Sequence, residues 1–390
     1  MEGSSVTRFK EILKVFTNYG LGYLLGKKEE KEKKSPSNLR KAFEELGPTF
    51  IKIGQILSTR QELIPEEYII ELSKLQDNVP ADDFVNMSKV FYNEFNKDIE
   101  DEFLYIDKVP IASASIAQVY RGMLKSGEDV VIKIQRPNIK ETMKMDFDIL
   151  IGLSEKFTKF FKDTVVDPKE ILLEIKASTE RELNFIYEAE NIEKFRELNK
   201  DSACIYAPFI IHDYTGENVL TQENIEGFKV NDKKSIESLG YDRDDIAKKL
   251  TLSYFKQVLR DGFFHGDPHP GNILIREGKI CFIDFGIVGA LSKEKQEELN
   301  SAITAVANED IDKLTDFVMN IGIKNGKTDR ELLYKDIEYM FRNYYTTSLK
   351  NIKISVLFQE MSDIAKRNNL RISSDFTMLI RTMVMVEGLV

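Results

Sequence analysis

His265-Gly-Asp-Pro-His-Pro-Gly-Asn272, followed closely by Phe282-Ile-Asp-Phe-Gly286, is the stretch that decides how this chain folds and works. Phosphoryl transfer asks little covalent chemistry of a protein. It needs a positioned acceptor and neutralised phosphate charge. An aspartate beside the acceptor oxygen takes its proton, which suits Asp267. An asparagine further along the loop, Asn272, suits one Mg²⁺. A second aspartate beyond a short β hairpin, Asp284, suits the Mg²⁺ that bridges the phosphates. The residues between them predict that hairpin: strands at 273–276 and 280–283 around the turn Glu277-Gly278-Lys279. A plain turn rich in Gly, Pro and Asp is the bland alternative. Two elements at the right spacing weigh against it.

Upstream, Val130-Val-Ile-Lys133 places a lysine on a buried strand, where an ammonium needs an anion. In protein kinases that anion is the α/β-phosphate pair plus a helix glutamate. Glu188 in Tyr187-Glu-Ala-Glu190 is the choice for that glutamate, with Glu190 as the fallback. A glycine-rich phosphate loop is missing. In its place stands Pro110-Ile-Ala-Ser-Ala-Ser-Ile-Ala-Gln-Val-Tyr120. The small side chains of Ala112, Ser113, Ala114 and Ser115 let the backbone approach phosphate, but alanine disfavours positive φ. ATP and Mg²⁺ are the implied cofactors, handled differently from an ordinary kinase.

The hydropathy pattern gives an α+β chain. Residues 4–25 predict an amphipathic helix, and the mixed-sign run Lys27–Lys34 a solvated linker. A surface helix docking on a partner or membrane face is the sharper alternative for this region. Helices follow at 37–60, interrupted near Gly47-Pro48, and at 63–75 and 81–95. Strands are expected at 103–109, 116–124 and 129–135, with Ser126-Gly127-Glu128 as a turn. A helix runs from Pro137-Asn138 to 161. Asp167-Pro168 starts another, with Asp as N-cap and Pro in the first turn, running to about 199. Strands at 205–214 and 218–222 close this part, and the rest is mostly helical. The expected divisions are 1–35, an amphipathic helix and charged linker; 36–100, a helical extension; 101–227, a small β-rich lobe with an inserted helix; and 228–390, a helical lobe.

Composition bounds the function. At 42% hydrophobic and 31% charged residues the chain is an ordinary globular one. A net charge of −10 speaks against a nucleic-acid partner. Cys204 and Cys281 are expected as buried free thiols, and three histidines supply a zinc site poorly. No signal peptide and no run of about 18 apolar residues is visible, so a cytoplasmic location is expected. The apolar C-terminal helix stops without a polar tail, which points to a natural chain that continues past residue 390.

Leu46-Gly-Pro-Thr-Phe-Ile-Lys-Ile-Gly-Gln55, together with the alanine loop, resembles the UbiB family of atypical kinases, associated with coenzyme Q biosynthesis. The resemblance covers roughly residues 39–291. It implies a two-lobed protein-kinase-like fold: a small β-rich N-lobe, a helical C-lobe and an N-terminal helical extension carrying the KxGQ motif. Lys52, Gly54 and Gln55 match that motif, and Ala112 to Ser115 the alanine-rich loop. Lys133 matches the nucleotide lysine and Glu188 the helix-C glutamate. Asp267, Asn272 and Asp284 match the catalytic and metal positions. Val219-Leu-Thr-Gln-Glu-Asn-Ile-Glu-Gly227 matches the hinge, with the backbone at Glu223 and Ile225 set to pair with adenine. One position departs: the family's Glu-x-Asp reads Glu182-Leu-Asn184 here. The family's acidic pair helps hold its KxGQ helix across the peptide site, so Lys52 is expected to lose one of two carboxylate partners.

The resemblance further implies ATP hydrolysis or phosphoryl transfer linked to isoprenoid or prenyl-quinone lipids rather than to protein substrates. It implies a membrane surface as partner and a C-terminal anchor. Two other readings compete. A small-molecule kinase of the aminoglycoside or choline kinase type would share His265-Gly-Asp and Asn272. A non-catalytic ATP-sensing scaffold would account for the missing glycines and Asn184.

Overall fold

Alternation along residues 129–135 shapes the first unit of the protein, as seen in a computed structural model. That structure describes residues 2–21, 35–58, 63–75, 79–154, 167–324, 326–345 and 353–389. The charge run 27–34 and the 155–161 end of the helix expected from Pro137 lie outside them. Within the described residues no helix is long and apolar enough to cross a membrane.

The chain divides into two compact units: residues 1–187 with 210–224, and residues 188–209 with 225–390. The first contains an antiparallel sheet of five strands: β1 (Phe103–Ile106), β2 (Ala112–Ser113), β3 (Ala117–Leu124), β4 (Asp129–Gln135) and, after the short β5 (Ile205–Tyr206) of the other unit, β6 (Val219–Glu223). The order is β1-β3-β4-β6, with β2 on β3. Val130, Ile132 and Ile134 are fully buried in a core with Met87, Phe91, Phe103 and Tyr120. Successive strand side chains point to opposite faces, so Lys133 projects from the other side of the sheet, half-buried. Gly127, at φ 102°, closes the expected β3–β4 turn.

The helices of this unit follow the sequence with one correction. Gly47, at φ 91°, ends the Pro36–Leu46 helix, and Pro48 opens the Pro48–Ser58 helix as expected. The N-terminal helix Glu2–Asn18 is amphipathic, but its apolar face is used internally: Ile12 and Phe16 are buried, and Phe16 packs on Phe43 and Phe50. Asp167 caps the next helix as read, accepting from the Lys169 amide at 2.9 Å. That helix does not run to 199. It stops at Glu182, and a new helix spans Phe185–Leu198, because Asn184 caps it by accepting from the Ile186 amide at 3.0 Å. Strand 205–214 is likewise shorter, ending at Tyr206 before a 3₁₀ turn at His212–Tyr214.

The second unit is mainly helical around a four-stranded sheet of order β5-β10-β9-β7. Its other members are β7 (Phe228–Lys229), β9 (Ile273–Arg276) and β10 (Lys279–Phe282). Strand β8 (Phe263–His265) pairs antiparallel with β11 (Val288–Ala290). The β9–β10 hairpin turns where the sequence placed it, with Arg276 opposite Lys279. Cys281 is buried. Cys204 is only partly so, because it sits before β5 at the edge of the sheet, and both are free thiols.

Candidate active site

A wide turn begins the site. The Arg243–Phe255 helix passes into a π-helical turn, Lys256–Asp261, a geometry that often marks functional sites. It carries Gln257, fully buried, whose Oε1 accepts from the His265 amide at 3.0 Å. Strand β8 is thereby held at the mouth of the loop. A side chain on Gly266 would meet Ile287, its Cγ2 at 2.9 Å, so the loop passes β11 without room for one.

Asp267 and Asn272 meet directly. The Asn272 amide nitrogen donates to Asp267 Oδ2 and to its carbonyl, each at 3.2 Å. The Ile283 amide donates to the Asn272 carbonyl at 3.1 Å, which draws in the second loop. Asp284 Oδ1 accepts from the Gly286 amide at 3.1 Å. His265 couples the two loops: its Nε2 bonds the Asp284 carbonyl, and its Nδ1 accepts from the Asp267 amide at 3.3 Å. Burial pushes its pKa down against the pull of Asp284 and Asp267, so the neutral ring with Nε2–H fits both bonds.

Phe285 is fully buried against Phe195 and His265. Asn191, one turn after Glu188, donates to the Phe285 carbonyl at 3.1 Å. Glu188 is buried while Glu190 is exposed, so burial separates the two candidates. A methyl group on Gly286 would stand 3.9 Å from Glu188 Oε2 and 3.4 Å from Asp284 Oδ1, which places both carboxylates beside that glycine.

The first unit holds the other candidates. The Lys133 ammonium lies over the Phe185 ring, 5.1 Å from its centroid. Residues 112–115 form β2 and its turn into β3, with the Ala114 amide donating to the Ala117 carbonyl at 2.9 Å. None of them has a positive φ, so the turn is one alanine adopts freely. Glu223 ends β6 opposite Val130, and the chain enters the second unit at Ile225. Gln55 is half-buried, and its carbonyl accepts from Ser58 Oγ at 2.7 Å.

Lys52 is buried and pairs with Glu182 at 2.5 Å, fastening the Pro48–Ser58 helix to the Pro168–Glu182 helix. Asn184 is spent on its helix cap. Asparagine and aspartate cap about equally well, so the amide keeps the local task of this position. Gly54 leaves room for Leu75 and Phe43, which an added methyl would meet at 2.3 and 2.8 Å.

The sequence reading passed over Arg136, which staples the alanine loop. Its Nε donates to the Ala114 carbonyl at 2.8 Å and its Nη2 to Ser113 Oγ at 2.9 Å. Nη1 meets Asp82 at 2.5 Å, and Nη2 also reaches the Pro80 carbonyl at 3.0 Å. Its signal was present: an arginine directly after the lysine strand, in Lys133-Ile-Gln-Arg136. Arg136→Met should cost about 2 kcal/mol of stability, since it removes a buried charged donor from several part-buried acceptors. Amide exchange at residues 112–117 should quicken. Unchanged exchange there would remove the staple.

Residues 74–318 match the ABC1 atypical kinase-like domain, and residues 337–390 the UbiB helical domain. A Clostridium pasteurianum protein, described as an uncharacterized protein in the hydrogenase 1 5′ region, is 51% identical over 387 residues, covering 99% of this chain and 73% of its own length. The probable protein kinase UbiB of Erwinia tasmaniensis is 32% identical, over 97% of this chain and 74% of its own. Rv3197 of Mycobacterium tuberculosis, solved in complex with erythromycin, superposes with a TM-score of 0.60 at 23% identity, covering 86% of each chain, and so shares the fold. Other relatives are longer: the chain spans between 54% and 65% of three of them. Two matching domains, relatives aligned over nearly all of this chain and the kinase-like fold agree, and the chain belongs to the ABC1/UbiB family of atypical kinase-like proteins.

Proposed function

We propose that this protein binds ATP with Mg²⁺ and either hydrolyses it or transfers its phosphoryl group, acting on or responding to isoprenoid or quinone-type lipids at a membrane surface. The observation that carries the reading is the bonded pair Asp267–Asn272, tied to Asp284 through Ile283 and His265. The pair leaves Asn272 Oδ1 as an oxygen donor, and the Asp284 carboxylate supplies another. Two protein oxygens completed by phosphates are what Mg²⁺ accepts, since it seldom takes an all-protein cage. When bound there, Mg²⁺ neutralises phosphate charge. Asp267 would take the acceptor proton, Lys133 would meet the α/β-phosphates, Glu188 would take the part of the helix-C glutamate, and residues 112–115 would cover the phosphates. Adenine pairs with the backbone near Glu223 and Ile225. The lipid class rests on family membership.

The test is calorimetry with ATP in the presence and absence of Mg²⁺, together with phosphate release. Both are run with and without anionic liposomes and prenyl phenols. Wild type should bind MgATP and turn it over faster with lipid. Asp284→Asn should lose the Mg²⁺ dependence and the turnover. Absence of both binding and turnover in wild type would end the proposal. Rapid phosphorylation of a small soluble alcohol would replace the lipid with that class.

A further inference from the structure

The loop from Asp267 to Asn272 reads Asp-Pro-His-Pro-Gly-Asn and carries no lysine or arginine. A transferring phosphoryl group spreads negative charge over its equatorial oxygens, and kinase-like sites set a cation against it. The C-terminal helix Ser374–Glu387 brings one to this loop. Thr382, fully buried on that helix, donates Oγ1 to the Gly266 carbonyl at 3.3 Å. Gly266 adjoins Asp267 and Thr382 adjoins Arg381, so this hydrogen bond brings the helix backbone at Arg381 to the loop, and the Asp267 carboxylate acts on the guanidinium through its field.

Arg381 is half-buried, and among the described residues its guanidinium makes no hydrogen bond and no ion pair. Burial pulls its pKa down, and the field of the Asp267 carboxylate pushes it back up. A partly buried cation with five donors and no matched acceptor is costly to keep unless an anion arrives. Its planar fork suits phosphate oxygens, two at a time.

We propose that Arg381 is an arginine finger supplied in cis, which contacts the phosphoryl group as it transfers. The inference rests on the ATP reading above. In the step it serves, the acceptor oxygen, of water or of a hydroxyl, forms a bond to the γ-phosphorus. The bond from that phosphorus to the β–γ bridging oxygen breaks, and its electron pair leaves with ADP. The acceptor proton passes to Asp267. Arg381 neutralises the charge that grows on the moving oxygens, so it strengthens binding of the transition state more than of ATP.

The experiment compares wild type, Arg381→Lys and Arg381→Gln by calorimetry in Mg²⁺ buffer. The probes are ADP alone and ADP with aluminium fluoride, which mimics the transferring group. ATP turnover and thermal unfolding are read alongside. ADP affinity should stay within about twofold in all three, whereas the aluminium fluoride complex should weaken at least about tenfold in Arg381→Gln. Turnover should fall about 10³-fold. Arg381→Lys keeps the charge and stem but loses the fork, so it should fold like wild type and still weaken the aluminium fluoride complex. Equal aluminium fluoride affinity and turnover in folded variants overturn the inference while leaving the ATP reading intact. Wild type that neither binds nucleotide nor turns it over overturns both.

Discussion

Asp267→Asn should lower turnover about 10²- to 10⁴-fold and leave nucleotide affinity nearly unchanged. The reasoning is geometric. Asn272 donates to Asp267 Oδ2 at 3.2 Å, and the Asp267 amide donates to His265. An amide of the same shape fits this frame, with its oxygen turned to Asn272. What it cannot do is accept the acceptor proton. Lys133, the alanine loop and Asp284, which the proposal gives to nucleotide and Mg²⁺, are untouched, so binding should persist. Single-turnover phosphate release and ATP titration separate the two effects. A variant that turns over at the wild-type rate would remove Asp267 as the base. A variant that loses ATP binding in step with turnover would make its role one of support.

Arg8→Ala should destabilise the first unit by about 3–5 kcal/mol, the cost of stripping a buried charge of its partner. Asp146, on the Ile139–Gly152 helix, is completely buried. Arg8 meets it with two bonds, Nε at 2.8 Å and Nη2 at 3.0 Å, and Thr49 donates to it at 2.6 Å. Arg8 Nη2 also reaches the Leu46 carbonyl at 2.7 Å, at the end of the Pro36–Leu46 helix. Burial works against the Arg8 charge, but Asp146 and Glu11 outweigh it and its pKa stands above the ordinary value. Without Arg8, among the described residues the Asp146 carboxylate keeps the Thr49 hydroxyl as its hydrogen-bond partner. The double variant Arg8→Met with Asp146→Leu should recover most of the loss, since a well-packed apolar pair of similar volume often matches a buried ion pair. Urea unfolding followed on the first unit measures both. A loss under about 1 kcal/mol for the single variant would mean that water reaches Asp146.

The candidate residues were legible in the chain because each stands in a local motif. Asp267 and Asn272 share one loop, and Asp284 follows a hairpin whose turn residues announce themselves. Lys133 stands on a strand whose alternation assigns its face. The amphipathic N-terminal helix was also legible as a helix, but its destination was not. A hydrophobic face specifies burial without naming a partner, and only the structure shows it packed on Phe43 and Phe50. The break at Asn184 was missed because the apolar period runs through it, and the competing cap on Ile186 is a contest between hydrogen bonds that periodicity does not record.

Local spacing along the chain by itself determined the hairpin, the helix starts at Pro48 and Asp167, and the kinase-like class. These rest on turn chemistry, capping and alternation, which act over a few residues. Tertiary structure alone decided what lies against them. Arg8 meets Asp146, Arg136 ties the alanine loop to Asp82, Gln257 holds His265 from a π-helical turn, and Thr382 bonds the Gly266 carbonyl beside Asp267. Such pairings close long stretches of chain, and their stability comes from burial and matched charge at one point in space. Neither quantity has a value until the chain has folded.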